Sequence, residues 1–170
     1  MRINSFSTGF IEIPGQISMN IFTQGCSIKC KKCHNPELQN FNDGIEFDWA
    51  AFDKNLQPVE FSPWICWLGG EPTEHLNDLR QFNKNLKKLG YFIALYSGRT
   101  FEELQDLKIL DDLDLIKTGR YDGYSVQNPK TTQRFYYRNY ADYKNCSWVT
   151  CNYENLECDI NRFIIDKNKG

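Results

Sequence analysis

The chain has 170 residues, of which 41% are apolar, 15% aromatic and 25% charged, with a formal net charge of −2. That composition excludes a disordered chain, and a chain of this size buries roughly 70% of its unfolded surface without covalent staples. The near-neutral charge excludes a global pull toward nucleic acid or anionic lipid, and no apolar run approaches the roughly 20 residues that span a bilayer. The opening "MRINSFSTGF" has no apolar core of a leader, so the expected compartment is the cytoplasm.

In chain order, "QISMNIFTQ" predicts a strand from about Ile17 to Thr23 that runs into a cysteine-rich loop. Trp49, Phe52 and Leu56 have helical spacing. "PWICWLGGEP" predicts a fully apolar strand stopped by glycines and a proline, the pattern of a strand buried on both faces of a parallel sheet. A helix follows, with Leu76, Leu79, Phe82, Leu86 and Leu89 on one face and Gly90 as its stop. "YFIALYSG" is the next strand, Thr100 and Glu103 form a capping box that opens a further helix, and "LDLIKTG" is the fourth strand. Beyond Gly119 the pattern is irregular and tyrosine-rich, with a last candidate strand at Phe163 to Ile165.

Alternating strands and helices predict an α/β fold with a parallel sheet in a single domain. Ligands in such folds sit at the carboxyl ends of the strands. Four segments fall there: the cysteine loop, "GGEP", "YSGRT" and "KTGRY".

The first of these, "QGCSIKCKKCHNPE", holds Cys26, Cys30, Cys33 and His34. Seven cysteines, an odd number, in a reducing compartment favour metal ligation over disulfides for any tight cluster. A structural zinc wants four protein ligands, and neighbouring Cys33 and His34 would strain to reach one ion. Three cysteines without an evident fourth also fit an iron–sulfur cluster with one iron left open. Spacing alone leaves both open. Cys66, in an apolar run, reads as a small buried hydrophobe. Cys146, Cys151 and Cys158 read as free thiols, with a second metal site as the alternative.

The Cys-x3-Cys-x2-Cys loop after a first strand, with "GGEP" after the second, resembles the radical S-adenosylmethionine (SAM) superfamily. With His34 and Asn35 after the third cysteine it looks like the activating enzymes of glycyl-radical enzymes. "LYSGRTFEEL", "LIKTGRYDG" and "TTQRFY" resemble the small branch that activates anaerobic ribonucleotide reductase. The resemblance covers about residues 6–138. It implies a partial (βα) parallel barrel, a [4Fe–4S] cluster held by Cys26, Cys30 and Cys33, and SAM chelated to the open iron. Gly69, Gly70 and Glu71 would lie along the methionyl part of SAM, small because a Cβ would block its approach. Lys32 to His34 would run past the adenine, with Lys32 standing where many members carry an aromatic ring. Ser97 and Lys117 would contact ribose hydroxyls and the carboxylate.

The implied activity is reductive cleavage of SAM and installation of a glycyl radical on a partner, most simply the large subunit of anaerobic ribonucleotide reductase. A flavodoxin-like or other low-potential donor would supply the electron, and no membrane or nucleic acid is expected as partner. Two other readings stand beside it: a radical SAM enzyme acting on a small molecule or peptide, and a zinc-stabilised binding module. Taken without the resemblance, Ser97 is a turn residue and Lys117 a solvated charge. "KTTQRFYYRNYADYK", with basic residues among aromatics, reads as a partner surface or an amphipathic edge before it reads as a nucleic-acid site.

Overall fold

The computed structural model describes residues 1–55, 63–140 and 147–151. Eight strands form one mixed sheet in the order β3-β1-β2-β4-β5-β6-β7-β8. They are β1 (Arg2–Gly9), β2 (Ser18–Thr23), β3 (Ile45–Glu46), β4 (Trp64–Gly69), β5 (Phe92–Tyr96), β6 (Leu115–Thr118), β7 (Arg134–Arg138) and β8 (Trp148–Cys151). The helices are α1 (Trp49–Asn55), α2 (Leu76–Lys88) and α3 (Phe101–Asp106). Strands β2, β4, β5 and β6 are mutually parallel, which bears out the α/β expectation. Antiparallel strands flank them: β1 and β3 on one side, β7 and β8 on the other. Among the described residues β3 and β8 are edges, so the sheet is open, as a partial barrel is.

Alternation along the parallel strands sorts their side chains onto two faces. Ile65, Trp67, Ile93, Leu95 and Ile116 join one core cluster with Leu79, Phe82 and Leu86 of α2 and Leu104 of α3. Trp64, Cys66, Phe92, Ala94 and Leu115 join the other, covered by Ile13 of the β1–β2 loop and by Phe135 of β7. Helices therefore cover one face and loops the other.

Helix α2 carries the expected apolar face, with one difference: Leu89 is the C-cap and is 59% exposed. Behind it Gly90 turns with φ +87°, the left-handed conformation that glycine adopts at little cost. Asn83 replaces an apolar residue on the buried side and accepts a hydrogen bond from Trp67 Nε1 at 2.9 Å. The Thr100–Glu103 capping box forms at the start of α3.

The tyrosine-rich tail is a correction. Part of it is β7, whose Phe135 is buried while Tyr136 and Tyr137 pack against opposite core clusters. That accounts for its apolar content as sheet packing. The candidate strand at 163–165, Cys146, Cys158 and Leu56 lie outside the described residues. Cys151 is buried at the end of β8, and Cys66 is fully buried as expected. Among the described residues no helix is long and apolar enough to cross a membrane.

Candidate cluster and cofactor cleft

Parallel register sets the carboxyl ends of the central strands side by side, with Thr23 opposite Gly69 and Tyr96 opposite Lys117. On the face that carries no helix among the described residues, Leu68, Tyr96 and Lys117 continue the rows begun by Cys66, Ala94 and Leu115. With Phe135 they line a cavity of about 470 Å³. That volume lies within the usual range of small-molecule sites. Cys26, Cys30 and Cys33 also line it, as do His34, Gly69, Gly70, Glu71, Ser97 and Gly98. Of the ten residues singled out from sequence, nine meet at this one cleft. Lys32 is not in the lining: it is exposed, with Nζ 5.7 Å from the centre of the Tyr124 ring.

The cysteine loop is anchored at its root. Buried Gln24 donates from Nε2 to Glu37 O and Asn40 O, bracing the 3₁₀ turn Pro36–Gln39. Gly25 N and Cys26 N donate to Leu38 O and Gln39 O. His75 Nε2 lies 2.7 Å from Gln24 O. Between the first two cysteines Lys29 takes φ +51°, a left-handed backbone rare outside glycine. The three thiols are half-exposed, and burial pushes that of Cys26 up from its ordinary pKa. Among the described residues no three His, Cys, Asp or Glu side chains group as around one ion.

The GGEP turn is packed against this loop. A Cβ on Gly69, where φ is +109°, would stand 2.6 Å from Thr23 N, and one on Gly70 would stand 2.4 Å from Gly25 O. The neighbouring backbone is thus one physical reason for both glycines, beside the expected room for a ligand. Glu71 N donates to Gly25 O at 2.9 Å, which ties the two turns together.

The Glu71 side chain is fully buried. Its Oε1 accepts from Thr73 N, Thr73 Oγ1 and Ser97 Oγ, at 3.2, 2.6 and 2.9 Å. Its Oε2 accepts from Gly98 N at 2.8 Å. Burial pushes its pKa up, and these donors pull part of the way back. Glu71 thus spends its oxygens joining the ends of β4 and β5. Ser97 is equally committed, because its hydroxyl also accepts from Arg99 N.

Lys117 is different. Its ammonium lies 5.0 Å from the centre of the Tyr96 ring and forms no ion pair among the described residues. Desolvation lowers its pKa, and Cys66 and Asp122 act in the opposite direction. A desolvated cation with no ion pair among the described residues favours an anion in the cleft.

Composition and spacing carried no sign of Ile11, Glu12, Tyr121, Tyr124 and Val126, which also line the cleft. Tyr121 reaches back over the cysteine loop, with its hydroxyl 2.5 Å from His34 Nε2 and the two rings 4.1 Å apart. The quoted run "LIKTGRYDG" contains Tyr121, but only the folded β6–β7 connection brings it to His34.

Fold and site together define a class: an α/β protein with a thiol-lined cleft at the carboxyl ends of parallel strands. Residues 14–139 match the family described as a 4Fe-4S single cluster domain, and the chain belongs to that family, a radical SAM type of cluster domain. The cofactors of that type are a [4Fe–4S] cluster and SAM.

Among curated relatives, the pyruvate formate-lyase-activating enzyme of Clostridium pasteurianum is 31% identical over 79% of this chain and 60% of its own length. The corresponding enzyme of Listeria monocytogenes is 30% identical over 68% and 48%. A Haemophilus influenzae protein described as a glycyl-radical enzyme activating enzyme is 29% identical over 62% and 42%. The chain therefore spans about half the length of the curated relatives it matches. Among solved structures, QueE from Escherichia coli aligns with a TM-score of 0.49 and 17% identity, over 58% of this chain and 53% of that one.

Proposed function

We propose that this protein is a radical SAM activase that installs a glycyl radical on a partner enzyme. The observation that carries the proposal is the meeting, in one cleft, of three half-exposed thiols and the Lys117 cation, which forms no ion pair among the described residues. Soft thiolates suit iron–sulfur ligation, and three of them leave one iron for a substrate. Cys26, Cys30 and Cys33 would hold the cluster, and Lys117 would take the carboxylate of SAM. The family favours a cluster over a zinc-stabilised module.

When bound, a reduced cluster would supply one electron to split the sulfonium C–S bond of SAM into methionine and a 5′-deoxyadenosyl radical able to take a hydrogen atom from a glycine Cα. The chain's own residues hold and shield. Gly69, Gly70 and Glu71 fix the wall against which the methionyl part would lie. Tyr96, Phe135 and Leu68 give an apolar floor that limits water. Tyr121 and His34 roof one side, where the adenine would pass. Lys32 stays outside as an exposed charge, and Ser97 acts through Glu71 before it acts on ribose.

The partner is a glycyl-radical enzyme. The "LYSGRTFEEL" and "TTQRFY" segments favour the large subunit of anaerobic ribonucleotide reductase. The names of the relatives raise pyruvate formate-lyase as the second reading. A low-potential, flavodoxin-like donor and a cytoplasmic setting go with either.

The test is anaerobic reconstitution, then assay of iron, sulfide and 5′-deoxyadenosine under a strong reductant. Cys30→Ser is expected to lose iron and SAM cleavage together. Electron paramagnetic resonance (EPR) with each candidate partner then decides between them, because a glycyl radical should appear only with the right one. Reconstituted protein that binds no iron, or a cluster that never cleaves SAM, would overturn the proposal.

A further inference from the structure

The turns after β4 and β5 bear on the cysteine loop at two places that the proposed cofactor contacts do not use. Glu74 Oε1 accepts from Ser27 Oγ and, at 3.4 Å, from Ser27 N, between the first two cysteines, and from Arg99 Nη2 at 3.3 Å. Arg99 Nε donates to Thr73 Oγ1 at 2.7 Å, and Thr73 Oγ1 in turn donates to Glu71. One residue further on from Ser27, Ile28 packs on the bare Cα of Gly98, where a Cβ would stand 2.8 Å from Ile28 Cδ1. Ser27 is exposed and Lys29 is held in the left-handed region, and within the loop the Ile28 and Lys29 amides meet the Cys26 thiol. The neighbouring turns add an anchor from outside the loop.

We propose that Arg99 is a positioning residue for the proposed cluster. Its guanidinium grips Glu74 and Thr73 at once, and through Glu74 and Ser27 it sets the Cys26–Cys30 stretch against the GGEP wall. Arg99 donates through two different nitrogens, a fork that the single ammonium of lysine does not reproduce. Cutting this tie leaves the three thiols in place but loosens the loop between them. Cluster loading then survives while the geometry of the open iron relative to the SAM pocket does not. The consequence rests on the function proposed above; the tie itself does not.

Amide hydrogen exchange of the anaerobically purified full chain tests the tie. In Arg99→Ala, exchange in residues 26–31 is expected to rise about tenfold, with β4 and β5 unchanged. Arg99→Lys should recover only part of the protection. Should Arg99→Ala fold poorly, Glu74→Ala, which removes the acceptor of both Ser27 bonds, should loosen the same segment, and Glu74→Gln should restore part of the protection. Unchanged exchange in Glu74→Ala, or a rise spread equally over the sheet, would overturn the inference.

In the second arm, Arg99→Ala is reconstituted beside the wild type. Equal iron content with a weakened SAM-induced change in the EPR signal supports the positioning role. An unaltered SAM response overturns it. Wild-type protein that binds no iron sinks the proposed function, while the exchange comparison still decides the tie.

Discussion

The two sides of the cleft are built differently. On the β4–β5 side, buried Glu71 collects four donors from two turns, and backbone stands against backbone at Gly69 and Gly70. On the β6–β7 side, the connection meets the cysteine loop through exposed ring and cation contacts, Tyr121 with His34 and Tyr124 with Lys32. Buried charge-assisted hydrogen bonds are costly to break, whereas exposed contacts contribute little. One wall is thus a fixed reference for the proposed cofactor, and the other is free to yield as a ligand enters.

The largest effect that separates the walls is expected from Glu71→Ala, which strands Ser97, Thr73 and Gly98 donors in the interior. A loss of about 3 kcal/mol in denaturant titration is expected, and a loss below about 1 kcal/mol would mean that wall is not fixed as described.

Gly70→Ala comes next. Its methyl must displace Gly25 O, at a cost of about 1–3 kcal/mol, with a matching fall in iron uptake on reconstitution.

The titration of Glu71 sharpens the same contrast. Its folded pKa is raised, so between the unfolded and folded values the native state binds more protons, and stability falls as pH climbs through that window. The slope should flatten in Glu71→Gln, measured by thermal unfolding across the acidic range.

Lys117→Met removes a desolvated charge. It should leave the unfolding temperature unchanged or raised while weakening SAM binding about tenfold; equal affinity in the variant would remove Lys117 from the site. The smallest effect belongs to Tyr121→Phe on the yielding side, within about 0.5 kcal/mol by the same denaturant titration.

The parallel core was legible because β2, β4, β5 and β6 are apolar runs ended by glycine or polar turns, and because Thr100 and Glu103 spell their own cap. Strand β1 was not, since five consecutive residues of it are exposed and it shows no alternation. It exists because β2 offers an edge to pair with. Strand β7 was hidden for the opposite reason: its adjacent tyrosines pack on both faces, so neither period appears. Within the site, the cysteines and the GGEP turn announced themselves by spacing. Ile11, Tyr121 and Tyr124 did not, because loops bring them in from both flanks of the sheet. The scaffold's reason for the glycines was also illegible, since a sequence cannot show which backbone lies a few ångströms away.

That last point bears on how such chains diverge. If the pair at 69 and 70 answers to its own scaffold, it will persist in descendants that have discarded their cysteines and every trace of redox chemistry. A glycine pair of this kind is a signature of the architecture, whereas the thiols alone would report on the chemistry.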